Sequence, residues 1–255
     1  MAREPLYYET DALLAQYLAF HYAPRRELLP HRDGPVSAFA FPVRVVSENL
    51  DVRRLPKDAR ALDLGCAVGR TSFELARHCP DVVGIDLSRR FIDAATRLRD
   101  RGQLRYRLVE EWELTVPAVA QVPKSIRRDR VAFEVGDATA LRADLGSFDV
   151  VVISNLLDRL NDPRRCLRRL SSLVRPGGQL IITSPFTWLE SFTPRSRWLG
   201  GFLRNGRPVR SFETLRELLA EDFRLVRRRD MPFLIREHRR KFQWTVADAT
   251  VWRRT

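Results

Sequence analysis

The chain has 255 residues, of which 44% are hydrophobic and 30% charged, and this balance predicts one well-filled soluble domain rather than two large ones. No stretch approaches the roughly 20 apolar residues of a membrane span, and residues 1–5 lack the apolar core of a secretory signal, so we expect a cytoplasmic protein. Cys66, Cys79 and Cys166 are widely spaced and form no CxxC pair, which argues against a disulfide framework or a structural metal.

The net charge of +13 would ordinarily suggest a nucleic-acid partner, because neutralising phosphates drives non-specific binding. Only Lys57, Lys124 and Lys241 are lysines, however, so 42 of the 45 basic residues are arginine. The arginines are also scattered in short clusters and form no long basic tract. We therefore expect a solvated basic surface, with neither a nucleic acid nor a membrane as partner.

From residue 61 the chain alternates short β-branched runs with amphipathic stretches, which is typical of parallel strands joined by crossover helices. The predicted strands cover residues 61–65, 82–86, 131–135, 148–154 and 179–183, followed by a closing pair at 223–229 and 246–253. The predicted helices cover residues 70–78, 89–101, 162–174 and 212–221.

Two segments fall outside this alternation. The first 60 residues contain an aromatic, helix-like run from Tyr7 to Tyr22, and residues 103–130 interrupt the path between the second helix and the third strand. Both segments are candidates for lids or substrate walls. We expect one domain made of an N-terminal lid (1–60), a core (61–185) and a substrate-side loop with the C-terminal strands (186–255).

The loop after the first predicted strand reads Asp-Leu-Gly-Cys-Ala-Val-Gly-Arg over residues 63–70. Its glycines let the backbone approach a ligand, and the helix that follows offers free N–H groups to a carboxylate. The Gly-x-x-x-Gly spacing differs from the dinucleotide fingerprint and no Walker lysine follows, which argues against NAD and ATP. An ordinary glycine turn is the alternative interpretation.

Acidic residues follow the next two predicted strands. Asp86 ends the second strand, where a carboxylate can bond ribose hydroxyls, although it could instead cap the next helix in competition with Ser88. Asp137 follows the third strand, between Gly136 and Ala138. Because the carboxyl ends of parallel strands meet at one crevice, the loop and the two acids are expected to form one site.

This set of motifs resembles the cofactor site of class I S-adenosylmethionine-dependent methyltransferases. The resemblance implies an α/β, Rossmann-like fold with a seven-stranded, mostly parallel sheet, helices on both faces and an N-terminal helical lid. It also implies S-adenosyl-L-methionine as cofactor, with its methionine part on the glycine loop and its adenine amino group facing Asp137. The implied cofactor-binding residues are Asp63, Gly65, Cys66, Ala67, Gly69, Arg70, Asp86, Leu87, Ser88, Gly136, Asp137, Ala138 and Asn155.

The fourth predicted strand ends in Ser-Asn-Leu-Leu-Asp-Arg over residues 154–159, at the edge where a methyl acceptor should lie. Asn155 and Asp158 are three residues apart and can reach one ligand if the segment turns into a helix. A capping asparagine and a surface aspartate are the alternative. The run is unlike the Asn-Pro-Pro-Tyr of adenine N6-methyltransferases, and the scarcity of lysine argues against the Lys-Asp-Lys-Glu tetrad of ribose methyltransferases.

The Asn-Leu-Leu-Asp-Arg run is similar to that of protein-histidine N-pros-methyltransferases, where the Asn and Asp hold the target imidazole. More of the chain resembles the methyltransferase portion of ovothiol synthases, the 4-mercaptohistidine N1-methyltransferase family. That resemblance covers residues 8–11 with 17–22, residues 184–190 with 198–201, and residues 232–244. The family's iron-dependent sulfoxide synthase half has no counterpart in this sequence, so we expect a functional link to a separate sulfoxide synthase.

The resemblance implies methylation of the N-pros imidazole nitrogen of 5-thiohistidine (4-mercaptohistidine), which yields ovothiol. Asn155 would orient the ring, and Asp158 would accept the distal N–H so that the near nitrogen keeps its lone pair, with no metal involved. Candidate substrate-binding residues are Tyr8, Tyr17, His21, Arg159, Trp188, Arg236 and Glu237.

Arg236 and Glu237 are expected to offer opposite charges to a zwitterionic amino acid, although this segment could equally be a core strand followed by a solvated charge run. Other acceptors remain open: selenohistidine, another imidazole or thiol, or RNA. A cofactor-binding module without activity is a further alternative.

Overall fold

A computed structural model of the chain describes residues 7–255, so the first six residues of the predicted lid lie outside the described part, as does the side chain of Tyr7. The α-helices are α1 Asp11–Tyr22, α2 Arg25–Leu28, α3 Phe41–Ser47, α4 Arg70–Leu75, α5 Arg89–Arg101, α6 Pro163–Leu173 and α7 Ser211–Leu219. None of these helices of the described chain has the length and apolar character to cross a membrane.

The first strands are β1 Arg60–Leu64, β2 Asp81–Asp86, β3 Gln103–Glu111, β4 Leu114–Gln121, β5 Val131–Val135 and β6 Phe148–Ser154. They are followed by β7 Val174–Ser184, β8 Phe202–Arg204, β9 Arg207–Val209, β10 Phe223–His238 and β11 Lys241–Arg254. Two short 3-10 turns matter for the site, at Tyr7–Glu9 and Leu157–Arg159.

Seven strands form one sheet in the order β10-β11-β7-β6-β1-β2-β5. The five strands from β7 to β5 are parallel, and β11 runs antiparallel to both of its neighbours. This is the α/β, Rossmann-like, mostly parallel arrangement that the sequence predicts. β1 and β6 lie in the middle of the sheet and are buried on both faces, so their sequences read as nearly continuous hydrophobic runs.

Helices cover both faces of the sheet. On one face the strands contribute side chains such as Ala61 and Val152 to a core that also takes residues of α1, α3, α4 and α5. On the other face side chains such as Leu62 and Ile153 pack with residues of α6 and α7. Because every second residue of a strand points to the same side, one strand sequence supplies both cores.

The segment between α5 and β5, predicted as an interruption, is a β-hairpin made of β3 and β4. Its inner side carries Tyr106 and Leu108, which pack against residues of α1 and α2. The closing strands are also longer than predicted: β10 and β11 pair from Phe223↔Arg254 to His238↔Lys241. The extension of β10 packs against α1. We call residues 7–28, which include α1 and α2, the N-terminal cap.

Candidate active site

The loop between β1 and α4 holds three residues in the left-handed backbone region. The φ angles are 75° at Gly65, 47° at Ala67 and 84° at Gly69. A Cβ at Gly65 would lie 2.9 Å from the side chain of Leu156, and one at Gly69 would lie 2.6 Å from the ring of Phe133. The glycines are therefore required both by the turn itself and by the close packing of the chain around it.

Asp63 lies behind this loop with none of its surface exposed. Its Oδ2 accepts a 2.6 Å hydrogen bond from the Ser72 hydroxyl, while its Oδ1 has no hydrogen-bond partner within residues 7–255. Burial raises the pKa of Asp63 to about 7. A buried oxygen without a donor is costly, and the ammonium group at the amino-acid end of S-adenosylmethionine would supply one. The residues present thus fit that cofactor.

Asp86 ties the glycine loop to the start of α5. One carboxylate oxygen accepts from the backbone N–H of Ala67 and the other from that of Ser88, both at 2.9 Å. Burial raises the pKa of Asp86 to about 6. Ser88, whose hydroxyl accepts from the Phe91 N–H at 3.2 Å, is the N-cap of α5. The capping alternative for Asp86 is therefore wrong, and its carboxylate remains at the strand end where a ribose is predicted.

The other predicted cofactor residues lie at the same edge of the sheet. The backbone N–H of Gly136 donates to the carbonyl of Asp86 at 2.9 Å, which joins the loops after β2 and β5. Asp137 uses Oδ1 in a local turn, accepting from the N–H and the hydroxyl of Thr139 at 2.8 and 2.7 Å. Leu87 is 62% exposed, whereas Ala138 is buried.

The remaining loop residues are buried. Cys66 is almost completely buried, and this burial raises the pKa of its thiol well above the usual value. Arg70 begins α4, and its Nη2 pairs with Glu74 Oε1 at 2.7 Å.

Asn155 stands at the end of β6 in a left-handed conformation, with φ of 50°. Its Oδ1 accepts from the hydroxyl of Thr183 at 2.9 Å, and its backbone N–H donates to the carbonyl of the same residue at 2.8 Å. These bonds to β7 fix the direction of the amide. The carbonyl oxygen keeps a second lone pair, so the side chain can still accept from a ligand.

Asp158 does not reach the crevice, contrary to the predicted contact with the acceptor. It is completely buried, and its oxygens accept from the Ser184 hydroxyl at 3.3 Å, the Thr187 N–H at 2.8 Å and Arg159 Nη1 at 3.1 Å. Burial raises its pKa. The 3-10 turn at Leu157–Arg159 turns the carboxylate inward, where it holds the loop after β7. We therefore assign Asp158 a positioning role.

Aromatic rings from three separate segments meet above the sheet edge. The ring of Tyr8 lies 5.8 Å from that of Phe91 and 6.0 Å from that of Phe192, and the ring of Tyr17 lies 4.7 Å from that of Phe91. Arg159 places its guanidinium 5.1 Å from the Phe192 ring centre. We call Tyr8, Tyr17, Phe91 and Phe192 the aromatic roof. It brings the two predicted tyrosines together.

Trp188 does not join this roof. Its ring stacks between those of Phe186 and Trp198, with centroids 6.4 and 6.3 Å away, and its indole N–H donates to the Ser211 hydroxyl at 2.9 Å. The side chain therefore fixes the start of α7 to the loop after β7, and its predicted contact with substrate stays a prediction.

Arg236 and Glu237 cannot hold one amino acid between them. A β-bulge interrupts β10 at Glu237, and the two side chains have separate sets of partners. Arg236 is 2% exposed, pairs with Glu110 at 2.5 Å and donates to the backbone carbonyls of Glu27 and Val109. Glu237 instead accepts from Lys241 at 2.8 Å. Arg236 is thus a buried clamp between the two long hairpins and the N-terminal cap.

Sequence reasoning missed several residues that shape the crevice. Phe91 follows the Ser88 cap by three residues, so an aromatic residue in the first turn of the second helix was a usable signal. Thr183 and Phe192 give no such signal, because their partners are distant in the sequence. Thr183 bonds Asn155 at the end of the neighbouring strand, and Phe192 packs near Tyr8 of the N-terminal segment. Tyr22 belongs to the aromatic run predicted as a lid but is not among the predicted substrate-binding residues, and its hydroxyl donates to the Val68 carbonyl at 2.7 Å.

Comparison with known proteins gives a match between residues 62–180 and a family model described as a methyltransferase domain. The chain is 27% identical over 128 residues to a ubiquinone biosynthesis O-methyltransferase of Coxiella burnetii, which covers 50% of this chain and 44% of that protein. It is 34% identical over 158 residues to a magnesium-protoporphyrin O-methyltransferase of Rhodobacter capsulatus, at 56% and 57% coverage. The chain thus spans about half the length of the curated relatives it matches.

Among solved structures, a crystal structure of S-adenosylmethionine-dependent methyltransferases from Methanosarcina mazei superposes with a TM-score of 0.53 at 19% identity. The superposition covers 79% of this chain and 94% of that one. The superposition shows that the chain shares the fold of these proteins, and residues 62–180 are similar to a methyltransferase domain. This similarity indicates S-adenosylmethionine as the cofactor, and we expect it to bind at the carboxyl ends of β1, β2 and β5.

Proposed function

We propose that the protein methylates the N-pros ring nitrogen of 5-thiohistidine, which yields ovothiol. The observation that carries this proposal is the position of Asn155 at the end of β6, where Thr183 fixes its amide. The aromatic roof is linked to the same segment because Arg159 lies 5.1 Å from the ring centre of Phe192. The resemblance of residues 8–11, 17–22, 184–190, 198–201 and 232–244 to the ovothiol family supports it. The resemblance of residues 155–159 to protein-histidine N-pros-methyltransferases supports the choice of an imidazole nitrogen.

The aromatic roof suits a small, flat acceptor. Its ring centroids lie 4.7 to 6.1 Å apart, so residues of the N-terminal segment, of α5 and of the loop after β7 pack together as one aromatic surface. Aromatic rings pack favourably against another flat ring, and their faces attract cations such as a sulfonium. An RNA strand would instead need an open basic groove, so we favour a small molecule as partner.

When bound, S-adenosylmethionine supplies a methyl group that is already activated by its sulfonium. The protein has to place one nitrogen lone pair in line with that methyl group. The free lone pair of Asn155 Oδ1 would accept the distal N–H of the imidazole, which fixes the tautomer whose near nitrogen is nucleophilic. Asp158 acts through Arg159 and Thr187, which it holds at the acceptor edge.

Arg159 would recognise the carboxylate of the amino acid. Its side chain is 26% exposed and its Nη1 is fixed by the backbone carbonyl of Thr187 at 2.8 Å and by Asp158. A guanidinium held in this way presents its other N–H groups in a fixed plane, the geometry that a carboxylate accepts best.

The experiment is a mass-resolved acceptor screen. Purified protein is incubated with S-adenosylmethionine and 5-thiohistidine, selenohistidine, histidine or a small phenol, and the methyl position of any product is assigned by NMR. We expect transfer to 5-thiohistidine at the N-pros nitrogen, and Asn155→Ala should slow it or misdirect the methyl group to the other nitrogen or to sulfur. Transfer only to other acceptors, or unchanged rate and regiochemistry in Asn155→Ala, would contradict the proposal.

The names of the two relatives make O-methylation of a small aromatic acceptor the second candidate. A hydroxyl acceptor has to lose a proton to a base during transfer, whereas a neutral imidazole already carries a free lone pair. Asp158, the carboxylate predicted at the acceptor edge, is completely buried and fully bonded, so it is badly placed to act as that base. This favours the nitrogen acceptor. Supply of thiohistidine by a separate sulfoxide synthase and a cytoplasmic location stay predictions.

A further inference from the structure

Three buried polar atoms around the glycine loop have no hydrogen-bond partner in the described part of the chain. They are Asp63 Oδ1, Arg70 Nη1 and His21 Nδ1. Leaving one such group unpaired costs about 1–3 kcal/mol, and folded proteins pair nearly all of them. One acceptor and two donors, gathered around a loop that binds the cofactor, indicate a ligand that carries both a positive and a negative group.

Arg70 and His21 reach this loop from different parts of the fold. Arg70 begins α4 directly after Gly69, and its guanidinium lies 5.8 Å from the ring centre of Tyr22. His21 belongs to α1 of the N-terminal cap, with its ring centre 6.2 Å from that of Tyr22. The hydroxyl of Tyr22 donates to Val68 of the loop at 2.7 Å. Tyr22 thus lies close to both residues and bonds the loop itself, and His21 is near enough to Arg70 to sense its charge.

The charge states suit a carboxylate ligand. Arg70 Nη2 pairs with Glu74 Oε1 at 2.7 Å, so Nη1 remains a charged donor without a partner in the described part of the chain. Burial, with a smaller contribution from the positive charge of Arg70, lowers the pKa of His21 to about 3. The imidazole is therefore neutral, and a neutral imidazole can carry its proton on Nδ1. One charged and one neutral donor match the two oxygens of a carboxylate.

We propose that Arg70 Nη1 and His21 Nδ1 bind the carboxylate at the amino-acid end of S-adenosylmethionine, which makes the N-terminal cap part of the cofactor site. Asp63 Oδ1 faces the ammonium group of the same amino acid. This inference reassigns His21 from the acceptor to the cofactor. It rests on the methyltransferase domain alone, so failure of the thiohistidine proposal would leave it standing.

The proposal has a consequence for the order of binding. α1 carries His21 at one position and Tyr17 one turn earlier, and Tyr17 packs 4.7 Å from Phe91 in the aromatic roof. A cofactor that bonds His21 therefore stabilises the same helix that covers the acceptor. The cofactor binds first, and the acceptor enters a roof already fixed by it.

The test compares two ligands that differ at the amino-acid end. S-adenosylhomocysteine carries the ammonium and carboxylate, whereas 5′-methylthioadenosine keeps the nucleoside and thioether but lacks both groups. Calorimetry on the full chain should show His21→Phe and Arg70→Met binding S-adenosylhomocysteine about 10- to 100-fold more weakly, with the affinity for 5′-methylthioadenosine unchanged. His21→Asn, whose amide nitrogen can replace Nδ1, should recover most of the affinity.

Leu14→Ala is the matched control, because Leu14 packs on the same core from α1 without a polar group. Thermal melts confirm that each variant is folded. Hydrogen exchange supplies a second readout: S-adenosylhomocysteine should protect residues 11–22 of the wild type, and 5′-methylthioadenosine should not. Equal losses for both ligands would mean a packing role and overturn the proposal. So would unchanged S-adenosylhomocysteine affinity with a raised KM for the acceptor, which would place the carboxylate of the acceptor at these donors.

Discussion

Replacing Asp63 with asparagine should flatten the pH dependence of the protein's stability. The carboxyl of Asp63 is completely buried, and its pKa of about 7 compares with an ordinary value of 3.8. Between these two values the folded chain holds a proton that the unfolded chain has released, so the free energy of unfolding falls as pH rises. A difference of about 3 pKa units at 1.36 kcal/mol each gives up to about 4 kcal/mol, fully lost above pH 7.

Urea unfolding of the protein without cofactor, followed by circular dichroism at pH 5 and pH 8, measures this loss. The amide that replaces the carboxyl should still accept from Ser72 but cannot ionise. Because the wild type loses its proton over about two pH units of that interval, Asp63→Asn should lose about 2.5 kcal/mol less than the wild type. Asp81→Asn is the matched control, because Asp81 begins β2, at the end of the sheet away from the glycine loop. This variant should keep the wild-type dependence of unfolding free energy on pH. An Asp63→Asn slope equal to that of the wild type would refute the buried-carboxyl argument.

Arg236→Ala should lower the free energy of unfolding by about 3 kcal/mol in urea titrations, because it removes a buried guanidinium that donates to Glu110 and to two backbone carbonyls. Glu237→Gln should change it by less than about 0.5 kcal/mol. A selective rise in the acceptor KM of Arg236→Ala would instead restore its predicted role in substrate binding. Gly69→Ala should cost about 1–3 kcal/mol and weaken S-adenosylhomocysteine in calorimetry, since φ is 84° and the new methyl group meets a ring. Asp158→Asn should slow single-turnover transfer by about 10- to 100-fold with cofactor affinity unchanged, and an equal loss in both would indicate general unfolding.

The sheet could be predicted because its central strands and helices carry their own signals. The helix α5 begins after a serine cap and ends at Gly102 in a left-handed conformation, and both signals are local. The strands β5 and β6 match their predicted bounds. β6 is buried and reads as a continuous apolar run, whereas β5 is an edge strand and was recognised by its β-branched and aromatic residues. The positions of the cofactor residues then follow, since parallel strands bring their carboxyl ends to one edge.

The β3–β4 hairpin could not be recognised as easily. Inward residues such as Tyr106 and Leu108 alternate with exposed arginines at 105 and 107, so the segment is only half apolar. Its buried side packs against α1, which is about 80 residues earlier in the chain, and no local pattern identifies such a partner. The underestimated length of β10 has another cause: its missed part, residues 230–238, contains Pro232, a residue that argues against the continuation of a strand.

The acceptor edge shows most clearly what spacing alone leaves undecided. Asn155 and Asp158 are three residues apart, and in an α-helix both side chains would lie on one face. The chain instead places Asn155 in a left-handed conformation and follows it with a 3-10 turn, so Asp158 points beneath the loop at Thr187 while Asn155 is fixed by Thr183. Both partners lie nearly 30 residues further along the chain, on β7 or just after it. In the proposed reaction the neutral amide of Asn155 therefore contacts the acceptor, and the buried carboxylate of Asp158 holds the neighbouring loop at Thr187 in place.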